Sequence, residues 1–90
     1  MLDGLDIDKY GDKRWYLNDK RHRTDGPAIE YSNGSKFWYL NGEYHRTDGP
    51  AIEYNNGNKL WYINGNELSE EQYLRTTRNI KLELLILLEK

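Results

Sequence analysis

Two His–Asp pairs stand at the same spacing in this chain, His22 with Asp25 and His45 with Asp48. A histidine and a carboxylate three residues apart can serve as a general acid–base pair or as two ligands of a metal. Both pairs sit inside the same ten letters, HRTDGPAIEY, at residues 22–31 and 45–54. Neither a nucleophile elbow nor a third ligand accompanies them. A group that recurs in identical context reads as a structural consensus, since each repeat unit needs the same contacts. The expectation is therefore no catalytic residue, no metal and no cofactor. Asp25 and Asp48 are expected to accept backbone amides in Asx-type turns before Gly-Pro, with the histidines and arginines packing across neighbouring loops.

Asp3, Asp6, Asp8 and Asp12 suggest calcium, but an EF-hand loop counted from Asp6 needs oxygen at its fifth position and Glu at its twelfth. Those places hold Tyr10 and Leu17. An acidic, solvated segment is the better reading. The strongest binding candidate is a row made of Tyr16, Tyr39 and Tyr62, with Arg23, Arg46, His22, His45 and a ladder of Lys13, Lys36 and Lys59. Tyrosine and arginine are favoured at interface hot spots. A tyrosine ladder also stabilises cross-strand pairs, which is the competing role. Stacked aromatics beside cations could hold a single strand of nucleic acid. A net charge of −2 and the lack of a base-reading motif argue against a nucleic-acid partner.

These residues are positioned by a repeat. Residues 15–42 aligned on residues 38–65 give 21 identities in 28 positions at an offset of 23. A fixed period marks units that bury their apolar faces by stacking. Each unit reads as two β segments: an aromatic Lys-x-Trp-Tyr-Leu/Ile (13–17, 36–40, 59–63) and Ala-Ile-Glu-Tyr (28–31, 51–54). Asn33-Gly34 and Asn56-Gly57 join one unit to the next as type I′ turns. Asn41-Gly42 and Asn64-Gly65, with Asn18-Asp19 in the first unit, allow a short third strand at 43–46. Gly-Pro at 26–27 and 49–50 forces a bend. Parity places Trp15, Trp38 and Trp61 on one face together with Ile29/Tyr31 and Ile52/Tyr54, and puts the tyrosine row opposite. The array opens with a half unit around Tyr10-Gly11 that reads as one residue short.

After Gly65 the pattern changes. Ser69-Glu70-Glu71-Gln72 fits a capping box, and apolar residues follow at helical spacing, predicting a helix over 70–88. Seven of the nine residues 80–88 are apolar, nearly all round the helix. Laid across the sheet floor or over its open end, the helix would cover the short array. The remainder predicts self-association as a two-fold dimer through Ile80, Leu84, Leu85, Leu87 and Leu88.

Ninety residues make a single domain: residues 1–14 a partial repeat, 15–65 the tandem β repeats and 69–88 the helix. The fold class expected is mainly β, an antiparallel β-meander capped by one C-terminal α-helix. No cysteine is present, so three Trp and eight Tyr must supply the core and a reducing compartment suits the chain. The opening segment lacks the apolar run of a signal peptide, and 80–88 is too short to span a bilayer. A cytoplasmic protein without a membrane role is expected.

The unit WYLNGEYHRTDGPAIEYNNGNKL resembles a divergent MORN-type repeat. More closely it resembles the Trp-Tyr-x-Asn-Gly/His-Arg-x-Asp-Gly-Pro-Ala repeats of bacteriophage and giant-virus proteins, whose last unit runs into Asn-Gly-x-Glu-Leu-Ser/Thr-Glu-Glu as at 64–71. The resemblance covers about residues 11–72. It departs from ordinary MORN units, which carry His-Gly-x-Gly where this chain has His-Arg-Thr-Asp-Gly-Pro. It implies a viral origin, a β-meander, and scaffolding or dimerisation instead of catalysis; the phospholipid contact of some MORN arrays is not expected, given that departure. The leading expectation is a non-enzymatic β-repeat binding module that inhibits a host defence protein by occupying its surface. A module sequestering a nucleotide signal and a structural scaffold are the alternatives.

Overall fold

Two kinds of turn, spelled alike as Asn-Gly at 33–34 and 41–42, build the sheet in the computed structural model, which describes residues 3–89. In the first kind both central residues have positive φ: Asn41 51° with Gly42 84°, and Asn64 49° with Gly65 81°. Asn18 and Asp19, at 52° and 66°, do the same in the first unit. These are the type I′ dihedrals, whose twist matches that of the strands they join. They close three hairpins: β2 (Lys13–Leu17) with β3 (Lys20–Arg21), β6 (Tyr39–Leu40) with β7 (Glu43–Tyr44), and β9 (Lys59–Ile63) with β10 (Asn66–Leu68).

The second kind corrects the sequence expectation. At Asn33-Gly34 only the glycine has positive φ, 96°. Gly34 N–H donates to Tyr31 O, and Tyr31 N–H donates to Ser35 O. This is a type I turn closed by a glycine bulge. The Asn33 side chain accepts from Ser35 N at 2.9 Å, which holds Asn33 in the ordinary right-handed region. Asn56-Gly57 repeats the arrangement between β8 (Ile52–Glu53) and β9. So does Asp8–Asp12, where Gly11 has φ 87° and follows β1 (Gly4–Ile7). Gly11, Gly34 and Gly57 are each 23 residues apart, so the opening half unit keeps the period and is not a residue short.

The main sheet is antiparallel, with strand order β1-β2-β4-β5-β8-β9-β10, β3 pairing β2, and β6–β7 forming a separate ribbon. Strand β4 is Ile29–Glu30 and β5 is Lys36–Phe37. The aromatic segment of the middle unit is broken at Trp38, between β5 and β6. The fold is mainly antiparallel β with one C-terminal helix, as expected from the sequence.

Register overturns the expected faces. Ile29 lies opposite Phe37, and Ile52 opposite Leu60. Cross-strand partners share a face, so the isoleucines belong with Phe37 and Leu60, one residue out of phase with the tryptophans. Ala28, Ile29 and Tyr39 form a buried cluster with Tyr31, Phe37 and Tyr44 packed against it, and Ala51, Ile52 and Tyr73 are buried as well. Tyr31 and Tyr54 meet Phe37 edge-on, at 5.4 and 5.9 Å between ring centroids. The tryptophans occupy the other side. Parity within a strand could not supply this, because the bulged turn sets the phase between strands.

Arg14 pairs with Asp8 at 3.0 Å and leads the causes holding that carboxyl below its ordinary pKa of 3.8. The unfolded chain then binds more protons than the folded one just below pH ~4, so stability falls as pH drops through that range. Urea midpoints should decline between about pH 4 and 3, and less steeply in Asp8→Asn.

Helix α1 (Glu70–Leu88) begins with the expected capping box: Gln72 N donates to Ser69 Oγ at 3.1 Å and Ser69 N to Gln72 Oε1 at 3.0 Å. Only its beginning docks on β9 and β10, through buried Tyr73 and Thr77. Nineteen residues at 1.5 Å each make a rod about 28 Å long. Beyond Thr77 it overhangs the sheet. Of the two placements expected, the helix covers the open end, where it meets the tryptophan face at its last member, Trp61.

Candidate functional site: paired loops and an overhanging helix

Two of the three tryptophans are covered by arginine. Arg23 stacks on Trp15 and Arg46 on Trp38, each with its guanidinium carbon 3.8 Å from the ring centroid. Each guanidinium is clamped alike: Arg23 by Asp25 at 2.8 Å and Pro27 O at 3.1 Å, Arg46 by Asp48 at 2.8 Å and Pro50 O at 3.0 Å. Glu30 and Glu53 stand 3.8 and 3.6 Å away. Asp25 and Asp48 were expected to cap backbone amides. Instead they hold the arginines, and the Arg23 bond is the main cause lowering the Asp25 pKa. A planar cation with fixed donors suits this double task of stacking and bridging.

The histidines tie one unit to the next. Asn41 N donates to His22 Nδ1 at 3.0 Å, and Asn64 N to His45 Nδ1 at 2.9 Å. A ring nitrogen that accepts an amide carries no proton, so these rings are turn acceptors in the fold. His22 and Asp25 share no hydrogen bond; they face different partners. Removing both acceptors in a His22→Ala, His45→Ala chain should cost about 1–3 kcal/mol, by leaving two turn amides without them. Calorimetry should then show a Tm lower by roughly 4–8 °C per kcal/mol.

The tyrosines do not form one open row. Tyr39 is buried, and Tyr44, which the sequence reading left out, lies between Tyr39 at 4.5 Å and Tyr62 at 5.0 Å. Burial pushes the Tyr39 hydroxyl up, and its hydrogen bond with Tyr44 adds to this. Tyr62 is half-buried with its hydroxyl 3.4 Å from Glu67, and Tyr16 is half-buried on β2. Arg23 and Arg46 lie on the tryptophan side, away from this stack. The structure thus separates what the sequence reading grouped.

Tyr73, on the first turn of α1, is the residue that fixes the helix to the second loop. Its hydroxyl donates to Arg46 O at 2.6 Å and accepts from Gly49 N at 3.1 Å, while its ring sits 6.5 Å from Trp61. The offset of 23 was the available signal: it puts Ser69 where Arg46 stands, leaving Trp61 without its arginine. Between the Arg23–Gly26 loop and the His45–Asp48 loop lies a cavity of about 500 Å³.

The oligomer candidates Ile80, Leu84, Leu85, Leu87 and Leu88 are all exposed, and Leu82 and Ile86 with them. Among the described residues no cluster of three or more His, Cys, Asp or Glu could hold a metal, and no helix is long and apolar enough to cross a membrane. Comparison of the chain with protein-family models, curated proteins and solved structures finds no match. Fold and site alone define its class: a small antiparallel β protein whose C-terminal helix reaches past the sheet.

Proposed function

We propose that this chain is a non-enzymatic protein-interaction module that pairs with a second copy through residues 80–88 and presents its β surface to a partner protein. The observation that carries this is the overhang. Seven leucine and isoleucine residues from Ile80 to Leu88 are between 37% and 82% exposed. Together they offer several hundred Å² of apolar surface, comparable with the ~800 Å² each partner gives to a standard interface. The histidines, arginines and aspartates of the repeated loops are engaged in holding the fold, which supports binding over catalysis. Following the resemblance, the partner is a host protein that the module inhibits by covering it.

The sequence contains no cysteine, so single cysteines report contacts cleanly. Cysteine placed in turn at Leu84, Leu85, Leu87 and Leu88 should give a disulfide-linked dimer at one or more positions under mild oxidation. Cysteine at exposed Leu17 should not. Equal cross-linking at all five positions would refute the pairing.

A further inference from the structure

The two loops are near copies, and one of them is occupied. At residues 46–49 the Tyr73 hydroxyl takes the Arg46 carbonyl and the Gly49 amide, with the ring against Trp61. Twenty-three residues earlier the same groups recur: the Arg23 carbonyl, the Gly26 amide and Trp38. No tyrosine follows Trp38 in that role. Among the described residues nothing hydrogen-bonds the Gly26 amide or the Arg23 carbonyl. Both residues and Trp38 line the cavity of about 500 Å³, which therefore lies where Tyr73 lies in the next unit.

We infer that this cavity is a binding slot for the phenolic ring of a tyrosine side chain carried by another protein. The filled copy supplies the chemistry. A hydroxyl that donates to a carbonyl and accepts from an amide satisfies both loop groups at once, which an aliphatic alcohol without a ring could do only without the indole contact. The slot differs from its template in one wall. Arg46 covers Trp38, whereas Ser69 stands at the matching place beside Trp61. An entering ring thus meets the guanidinium that lies over the indole, a cation–π contact that again prefers an aromatic group. The inference is independent of pairing through the helix and would survive its failure.

The test is an amide-resolved NMR titration of the full chain with N-acetyl-tyrosinamide, N-acetyl-phenylalaninamide and p-cresol. The expected result is a saturable shift of the Gly26 amide and the Trp38 indole N–H, with the tyrosine amide binding about fivefold or more tighter than the phenylalanine amide. Thr24 is exposed and lines the slot, so Thr24→Trp should fill it and abolish the shifts while the spectrum stays dispersed. The tyrosine–phenylalanine contrast in the parent chain decides the matter even if that variant folds poorly. No saturable shift at tens of millimolar, or equal binding of the two amides, would overturn the slot. Tighter binding of the tyrosine amide than of p-cresol supports a protein-borne tyrosine; tighter binding of p-cresol overturns that assignment in favour of a free phenol.

Discussion

Replacing Tyr73 with alanine should detach the helix from the sheet and remove a large share of the stability of this chain. The ring is 2% exposed, and its hydroxyl is shared between two backbone groups of the second loop. Truncating a buried aromatic to alanine costs about 3–5 kcal/mol. A domain of this size has a total stability of roughly 5–13 kcal/mol, so the loss approaches half of it. Tyr73→Phe keeps the ring against Trp61 and leaves only the Arg46 carbonyl and the Gly49 amide unmet, at a cost of about 1–3 kcal/mol. Urea unfolding of the two variants should rank them in that order. If alanine and phenylalanine cost the same, the ring contributes nothing and the docking described for α1 is wrong.

The second large effect concerns assembly. Leu84 and Leu87 are 55% and 64% exposed in the single chain, so Leu84→Glu with Leu87→Glu should leave the β fold intact. A buried leucine contributes about 1.5–3 kcal/mol, and a pair of helices would bury four such side chains. Even half the lower sum, about 3 kcal/mol, weakens pairing more than a hundredfold. Two added carboxylates per helix at the contact raise the cost further. The double variant should run at a single-chain mass and keep its β fold, with a Tm below that of the parent at matched chain concentration, because it loses the stabilisation that pairing adds to the folded state.

Much of this architecture is legible in the amino-acid sequence. The letters HRTDGPAIEY, written twice, gave the period, and Ser69 with Gln72 gave the start of the helix to the residue. What stayed hidden has physical reasons. Asn33-Gly34 and Asn41-Gly42 are spelled alike yet fold differently, because the Asn33 side chain caps Ser35 while Asn41 N–H is fixed by His22 across the unit. Parity along one strand does not fix its phase against the next, so Ile29 was assigned to the tryptophan side when its partner is Phe37. The Arg–Trp stacks were visible only as a constant eight-residue separation, Trp15 to Arg23 and Trp38 to Arg46, with no local pattern to announce a contact. Tyr73 is the plainest case. Its function in the fold follows from what the third unit lacks, and a missing arginine leaves no motif of its own.

Pairing through the overhanging helix is the claim on which the functional reading rests, and the mass of the unmodified chain in solution tests it most directly. Multi-angle light scattering at tens of micromolar should give twice the 10.8 kDa chain mass, falling to one chain for the Leu84→Glu, Leu87→Glu variant. A parent chain that runs at 10.8 kDa across that range, with residues 80–88 helical and bare, would contradict the account.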